Sequence, residues 1–261
     1  MPSPYERDYA ELVRHILLYG DERNTRNAKA ISTFGKTLTV HELRYGEFPL
    51  LSGRKMYPKG VLGELAAFLK GPKNIEDFEN EGCNYWSKWA NADGSINVDY
   101  GNLWLNFNGV NQLDALLDSL STDPYGRRHI ISGWNPANLR DLSLPCCHLL
   151  YQWYVNDNEL DMIWYQRSVD MMIGLPSDVI LAAAWNVLIA NHVGLNPGKL
   201  IFMLGDTHIY SSHKEQAMQY VKKAIERPRD VVGYFVEGTL DDFNIGFTNY
   251  NPDKPINFEL H

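Results

Sequence analysis

The sequence has few cysteines and none of the common metal-binding spacings. Its 261 residues include three cysteines, Cys83, Cys146 and Cys147, so the number is odd and two of them are adjacent. Adjacent cysteines are poorly placed to bridge each other, and the count excludes the disulfide framework of a small secreted domain. The sequence also lacks CxxC and HExxH motifs. We therefore expect a protein of a reducing compartment that binds no metal.

The sequence also lacks an excess of basic charge and long apolar runs. A formal net charge of −8 argues against general binding to a nucleic-acid backbone, although a local basic pocket could hold one small phosphate. The N-terminus is amphipathic and lacks the basic start and apolar core of a signal peptide. The longest apolar run, Val179 to Ile189, is interrupted by Asn186 and is too short to span a bilayer. We expect a cytoplasmic protein, in the host cytoplasm if viral, with no membrane or nucleic-acid partner.

The sequence has no internal repeat, low-complexity segment or Pro/Gly/Ser linker, so we predict one domain over residues 1–261. Apolar periodicity predicts helices at residues 5–18, 58–69, 74–89 (with breaks), 110–120, 176–190 and 213–227. Strand patterns cover residues 30–43, 129–134, 147–155, 160–168 and 199–206. Residues 21–29 are polar and predicted as a surface loop, and VNDNE (155–159) predicts a hairpin turn. This mixture indicates an α+β fold, with a large mixed or antiparallel sheet and packed helices.

Several polar residues stand out against these apolar patterns. Cys147 could be a nucleophile, although free cysteines are more often simply packed. Arg127 and Arg128 at a turn could grip a phosphate or could merely be solvated. Arg167, in an apolar strand, needs an anionic or carboxylate partner.

Two further polar groups follow apolar strands. Ser168 and Asp170 come directly after Arg167, at the end of one strand pattern. His208 and Tyr210 are two residues apart after another, so in extended backbone they would face the same side and could bind one ligand group.

The order of these segments is more informative than any one of them. PCCH, QRSVD, GLP and GDTHIYSSH follow one another as in the thymidylate synthase family, which the chain resembles from about Tyr9 to Pro252. DPYGRRHIISGWN is similar to that family's phosphate-arginine turn, and WSKWANADGSINVDYGNLW to its Trp-rich segment. The resemblance implies a thymidylate synthase-like fold with a homodimer formed through the sheet. It also implies a pyrimidine nucleotide substrate and 5,10-methylenetetrahydrofolate as co-substrate.

The resemblance also implies roles for individual residues. Cys147 would add to C6 of the pyrimidine, so that C5 takes up the one-carbon unit, and Glu64 would organise water and move protons. The other residues implied in catalysis are Tyr100 and Asp178. The nucleotide-binding set is Arg23, Arg127, Arg128, Arg167, Ser168, Asp178, His208 and Tyr210. Arg127 and Arg128 would reach the phosphate site of the other subunit, and Arg26 is a rival to Arg23 on its loop. The folate-binding set is Asp170, Gly174, Trp86 and Arg54.

Three departures from the family pattern concern the substrate and the product. Pro176-Ser177-Asp178 replaces the Pro-Phe-Asn of the synthases. The chain ends in INFELH, where synthases have a short apolar tail that closes over the folate. Ala66 and Ala67 stand where bulkier residues are usual, which suggests looser closure and easier access of water.

Asp178 has both a structural and a functional interpretation. Asp caps helices well, but so does Asn, so capping does not explain the choice. An Asn amide complements N3–H and O4 of uracil, whereas a carboxyl that shares one proton complements N3 and the N4 amino group of cytosine. Deoxycytidylate hydroxymethylases of bacteriophages, which the chain resembles most, carry Asp here.

We therefore expect hydroxymethylation of dCMP. The alternatives are methylation of dCMP, thymidylate synthesis from dUMP, and hydroxymethylation of CMP. A nucleic-acid-binding or scaffold protein that has kept the fold is a further alternative, against which the acidic charge argues.

Overall fold

The computed structural model describes residues 4–227 and 230–261. Its helices are α1 (Pro4–Tyr19), α2 (Pro58–Lys70), α3 (Ile75–Glu79), α4 (Asn102–Leu105), α5 (Gln112–Thr122), α6 (Gly174–Val193) and α7 (Lys214–Glu226). Its strands are β1 (Asp21–Asn24), β2 (Lys29–Val40), β3 (Ile130–Ser132), β4 (His148–Asn156), β5 (Glu159–Asp170), β6 (Asn196–Tyr210), β7 (Gly233–Gly238) and β8 (Phe243–Thr248). Short 3₁₀ turns cover Glu42–Tyr45, Ser87–Trp89 and Ser211–His213.

Strands β1 to β6 form one mixed sheet in the order β1-β2-β6-β5-β4-β3, and β7 and β8 form a separate hairpin. The pairs within the large sheet are antiparallel except β5 with β6, which run parallel. Helix α6 connects these two strands, as a parallel crossover requires. The large mixed sheet with packed helices confirms the predicted α+β class.

The parallel pair places the functional residues together. Because β5 and β6 run in the same direction, their carboxyl ends lie side by side at the same end of the sheet. The register pairs Ser168 with Asp206 and Asp170 with His208. Side chains alternate along a strand, so Gln166, Ser168 and Asp170 share one face of β5.

Helix α6 forms the centre of the core. Most of its residues are buried, and Trp185 stacks on Trp104 with ring centroids 4.0 Å apart, a contact worth about 1 kcal/mol beyond area burial. By length and composition alone this helix could cross a membrane, but it lies mostly inside the protein, as core helices do. The helix continues through Asn186, which interrupts its apolar run. The Asn186 side chain packs inside the protein, where its amide donates to the carbonyl oxygen of Leu160.

The structure corrects the predicted start of α6. The helix begins at Gly174, so Asp178 lies in its second turn and is not the cap. The turn into the helix is instead held by Asp170, whose Oδ1 accepts from the backbone nitrogens of Met172 at 2.8 Å and Ile173 at 3.3 Å. Asp178 is therefore free of a capping role, and its carboxyl group points elsewhere.

Most other predicted elements are confirmed with shifts of a few residues at their ends. The helix predicted at 74–89 is an exception, because only Ile75–Glu79 and the 3₁₀ turn Ser87–Trp89 are helical, and four elements were missed. Residues 21–29 are not wholly a loop, because Asp21–Asn24 pairs with β2 as a short, fully exposed edge strand. The short α4 and the β7–β8 hairpin were not predicted either. The sequences of β7 and β8 show weak apolar periodicity because most residues of these strands are half-buried or exposed.

Candidate functional site

Two adjoining cavities open at the end of the sheet where β5 and β6 terminate. Their volumes are about 790 Å³ and about 420 Å³, and Cys147 and Ser168 line both. The other predicted site residues that line the larger cavity are Arg54, Glu64, Trp86, Tyr100, Asp170, Gly174, Asp178, His208 and Tyr210. The sequence therefore identified most of a group of residues that folding brings together.

Cys147 lies immediately before β4, where the two cavities meet. Its backbone nitrogen donates to the hydroxyl oxygen of Tyr100, which fixes the start of the strand. Burial raises the pKa of the Cys147 thiol, while Tyr100 and Arg167 act in the opposite direction. Arg167 therefore favours the thiolate electrostatically, but burial outweighs it.

Arg167 lines the smaller cavity and is held by the loop that carries the cysteine. Its Nε donates to the carbonyl oxygen of Cys146 at 2.8 Å, and its terminal nitrogen to that of Pro145 at 3.0 Å. The guanidinium also lies over the ring of Trp134, 5.3 Å from its centroid. The cation is therefore fixed beside Cys147 and Ser168 before any ligand arrives.

The structure favours Arg26 over Arg23 as the arginine of the N-terminal loop. Arg26 lines both cavities, whereas Arg23 lines neither. Arg23 faces Asp206 instead, with 3.9 Å between guanidinium and carboxylate. The two arginines differ because Arg23 lies within β1, whereas Arg26 lies in the turn that follows this strand.

Arg127 and Arg128 line neither cavity of their own subunit. Both are exposed, in the turn just before β3, an edge strand of the sheet. This position is compatible with the predicted contribution to a second subunit.

Asp178 points into the larger cavity and is held by a neighbour that the sequence did not identify. The amide nitrogen of Gln166 donates to its Oδ2 at 2.6 Å, and Nε2 of His148 lies 3.8 Å from its Oδ1. Burial raises the pKa of Asp178 well above its usual range, and Glu64 adds to the effect. Burial also lowers the pKa of His148 to about 3, so its ring stays neutral at ordinary pH.

Glu64, in the middle of α2, faces the same cavity. The indole nitrogen of Trp86 donates to its Oε1 at 2.6 Å, and the hydroxyl of Tyr85 donates to its Oε2 at 2.9 Å. Burial raises the pKa of Glu64 to about 7, although both donors lower it. A carboxyl group with this pKa can both accept and return a proton near neutral pH.

His208 and Tyr210 lie side by side at the end of β6, as the extended spacing predicted. Their ring centroids are 5.1 Å apart, and both line the larger cavity. Nδ1 of His208 lies 3.0 Å from Oδ1 of Asp206, which also accepts from Ser32. This contact fixes the orientation of the His208 ring in the wall of the cavity.

Arg54, which the resemblance implies as a folate-binding residue, lines the larger cavity but is mostly covered by other residues. Its guanidinium is buried, donates to the carbonyl oxygen of Met172 and lies 4.9 Å from the ring centroid of Phe258. Arg54 therefore ties the loop before α6 to the last residues of the chain, and it contributes only part of its surface to the cavity.

The segment 256–261 closes one wall of the larger cavity. Lys88 donates to the carbonyl oxygen of Leu260 at 2.9 Å, and Nε2 of His261 lies 2.7 Å from the hydroxyl oxygen of Ser212. The unusual tail thus docks over the site despite its polar residues. Ala66 and Ala67 do not line either cavity, so their small size gives no support to easier access of water.

Sequence reasoning missed several polar residues that line the cavity, among them Tyr85, His148 and Gln166. His148 and Gln166 could have been found, because each interrupts an otherwise apolar strand pattern. Tyr85 gives no such signal, since it precedes Trp86 in a segment of irregular structure.

The comparison with known families agrees with this geometry. Within the described ranges there is no cluster of His, Cys, Asp and Glu side chains that could hold a metal ion. The model of the thymidylate synthase family matches residues 7–261, almost the whole chain. Enzymes of this family transfer a one-carbon unit from 5,10-methylenetetrahydrofolate, their co-substrate, to a pyrimidine nucleotide. This match over almost the whole chain, together with a cysteine, a fixed arginine and paired His and Tyr side chains around two adjoining cavities, shows that the chain belongs to the thymidylate synthase family.

Proposed function

We propose that the protein hydroxymethylates dCMP. In this reaction the one-carbon unit of 5,10-methylenetetrahydrofolate is transferred to C5 of the base, and water completes the product, 5-hydroxymethyl-dCMP. The observation that carries the proposal is Asp178, a carboxyl group in the cavity that holds Cys147, oriented by Gln166.

The chemistry of the base explains why Asp178 favours cytosine. One Asp178 oxygen accepts from the N4 amino group, while the other shares a proton with N3. The raised pKa of Asp178 keeps that proton available at neutral pH. An Asn amide cannot share a proton, and its NH₂ group would face the amino group of cytosine. A mispaired buried edge of this kind costs about 1–3 kcal/mol.

Cys147 supplies the nucleophile. Its thiolate form makes a bond to C6, the electron pair of the C5–C6 double bond shifts through C4 towards N3, and N3 takes the proton that it shares with Asp178. C5 then attacks the one-carbon unit that the folate supplies. Glu64 lies in the same cavity and has a pKa of about 7, so it is suited to take up and return protons in the later steps.

The two cavities fit the two ends of a nucleotide. Arg26, Arg167 and Ser168 line the smaller one, where forked donors suit a phosphate. His208 and Tyr210 suit the hydroxyl group of the sugar.

The remaining wall of the larger cavity fits the folate. Trp86 supplies an apolar surface, Asp170 supplies a carboxylate, and Gly174 leaves room beside them. Arg54 supports this wall through Met172 rather than by an open charge.

Two observations bear on whether the product is hydroxymethyl or methyl. Ser177 lines the cavity where the synthases have Phe, and with Glu64 it offers a polar surface to a water molecule, which favours hydroxymethylation. The docked segment 256–261 would instead exclude water, which favours methylation of dCMP as the second candidate.

A homodimer is part of the proposal, because the sheet has an apolar outer face. Alternation and register put Ile130, Leu150, Tyr154, Ile163, Tyr165 and Met203 on the side away from α6. Ile130, Leu150, Tyr154 and Met203 are exposed, and an apolar face of this extent calls for a partner. Arg127 and Arg128 precede β3, so a second copy on this face could receive them at its phosphate site.

The test is to identify the product. The enzyme is incubated with 5,10-methylenetetrahydrofolate and dCMP, dUMP or CMP in turn, and the nucleotide is weighed by mass spectrometry. A hydroxymethyl product from dCMP supports the proposal. A methyl product with formation of dihydrofolate identifies a dCMP methylase, and turnover of dUMP or CMP alone identifies a different substrate. Absence of turnover together with salt-dependent nucleic-acid binding would support the scaffold alternative.

A further inference from the structure

Glu64 is held by two donors from adjacent residues. The indole of Trp86 donates to Oε1 at 2.6 Å and the hydroxyl of Tyr85 donates to Oε2 at 2.9 Å, so each oxygen has its own partner. Two such contacts fix the plane of the carboxylate in the cavity wall.

The two donors differ in what they can do. An indole N–H only donates, whereas a phenol hydroxyl both donates and accepts. The carbonyl oxygen of Gly60, one turn before Glu64 on α2, lies 3.5 Å from the same Tyr85 hydroxyl. The hydroxyl has a single proton, so Glu64 and Gly60 are alternative acceptors for it.

We propose that Tyr85 is a positioning residue that keeps Glu64 hydrogen-bonded in both its ionised and its protonated form during one-carbon transfer. When Glu64 is ionised, Tyr85 donates to Oε2. When Oε2 has taken a proton from the cavity, it donates that proton to the phenol oxygen, and the Tyr85 hydroxyl turns to Gly60. Tyr85 keeps its own proton throughout, and the proton on Oε2 returns to the cavity.

The surrounding groups are consistent with this division of roles. Burial raises the pKa of Tyr85 well above its usual range, so Tyr85 is not itself the base. Burial raises the pKa of the neighbouring Cys83 thiol to about 12, so Cys83 also keeps its proton. Asp178 on α6 interacts electrostatically with Glu64, and Tyr100, Cys147 and His148 are among the other titratable groups that line the same cavity.

The first test removes only the hydroxyl group. In Tyr85→Phe both forms of Glu64 lose a hydrogen bond, but the bond to the ionised carboxylate is the stronger of the two, so the acid limb of the pH profile of kcat should move up by about 1 pH unit. KM for the nucleotide should stay the same, because Tyr85 acts through Glu64. An acid limb that does not move would overturn the proposal.

A double-mutant cycle tests whether Tyr85 acts through Glu64. In a Glu64→Gln background, adding Tyr85→Phe should cause no further loss of kcat. Equal fractional losses in the two backgrounds would show that Tyr85 acts independently, and would contradict the inference.

A titration without substrate separates this inference from the proposed function, on which it rests for its role in catalysis. Glu64 is followed by NMR of protein labelled with ¹³C at the glutamate carboxyl, and its signal is assigned by its loss in Glu64→Gln. The midpoint should rise in Tyr85→Phe and stay unchanged in Tyr250→Phe. Tyr250 is a matched control, because its half-buried hydroxyl bonds to Met56 and Leu51 and does not line the cavity.

Each outcome of the titration decides one question. An unchanged midpoint in Tyr85→Phe overturns the inference even if dCMP is hydroxymethylated. Lack of turnover by the wild-type protein would overturn the proposed function, while the titration would still decide whether Tyr85 governs the protonation of Glu64.

Discussion

Gln166 on β5 donates a hydrogen bond to Asp178 on α6, across 2.6 Å between its amide nitrogen and Oδ2. The strand and the helix that follows it in sequence thus fix the orientation of the Asp178 carboxyl group in the wall of the cavity. Gln166 itself is almost fully buried, so this orientation does not depend on solvent.

Replacing Asp178 by Asn should shift substrate preference from dCMP towards dUMP. The Gln166 donor would select the amide oxygen, and the amide NH₂ would then face the position of O4 in uracil or N4 in cytosine. We expect kcat/KM for dCMP to fall relative to dUMP by about 10- to 100-fold. Ser177→Ala is the control, since Ser177 bonds to the carbonyl of Ile173 and should not alter base preference. An unchanged preference in Asp178→Asn would rule out Asp178 as the base-reading residue.

The two adjacent cysteines should differ sharply on mutation. Cys147→Ser should lower kcat by more than about 10⁴-fold, because it removes the covalent nucleophile. Cys146→Ser should retain most of the activity, since the Cys146 side chain is buried and Arg167 contacts only its carbonyl oxygen. Steady-state rates and the mass of the denatured protein–nucleotide adduct measure both. Loss of the adduct in Cys146→Ser instead would show that the wrong cysteine was identified.

Arg26 and Arg23 should differ in their effect on the nucleotide. Arg26→Ala removes a cation that lines both cavities, and loss of a charged hydrogen bond should raise KM about 10-fold or more. Arg23→Ala should raise it less, because Arg23 faces Asp206. KM for dCMP and inhibition by inorganic phosphate give two independent readouts. A larger effect in Arg23→Ala would restore the assignment that the sequence alone suggested.

Glu64 should make the protein less stable at high pH. Its pKa rises from the usual 4.5 to about 7 on folding, because burial disfavours the charged form. The folded state therefore binds the proton more tightly, so this contribution is complete below pH 4.5 and is lost as the pH rises through about 7.

Glu64→Gln should remove that pH dependence. The pKa difference corresponds to a change in the free energy of unfolding of about 3 kcal/mol at most. The variant should therefore be more stable than the wild-type protein at pH 8, and this difference should be much smaller at pH 5. Urea unfolding across this pH range measures it. Parallel stability curves for the two proteins would mean that Glu64 titrates normally.

The sequence predicted the elements of the fold well wherever periodicity reflects burial. Helices α1, α2 and α7 have one apolar face, and β4 to β6 have long apolar patterns, so local sequence carries their identity. The β7–β8 hairpin does not, because its strands are mostly half-buried or exposed. The start of α6 was misplaced because Asp170, a residue of the preceding strand, holds the turn in place of a cap.

The site was predictable where a motif carries the chemistry, and not where distant segments meet. Cys147, Arg167 and His208 follow from the order of the motifs. The contact of Tyr85 with Glu64 follows from the packing of an irregular segment against α2, which no local pattern encodes. The same applies to the contact of Arg54 with Phe258, which comes from the far end of the chain.

The parallel pairing of β5 with β6 has a consequence for how the protein acquires activity. The two strands can join only after the chain has closed a loop that contains all of α6, a non-local step that is slow compared with hairpin formation. Asp170 and His208, which face each other in that pair, cannot be brought together earlier. Binding of a nucleotide analogue during refolding should therefore report completed assembly of the sheet, and not the earlier collapse of the chain.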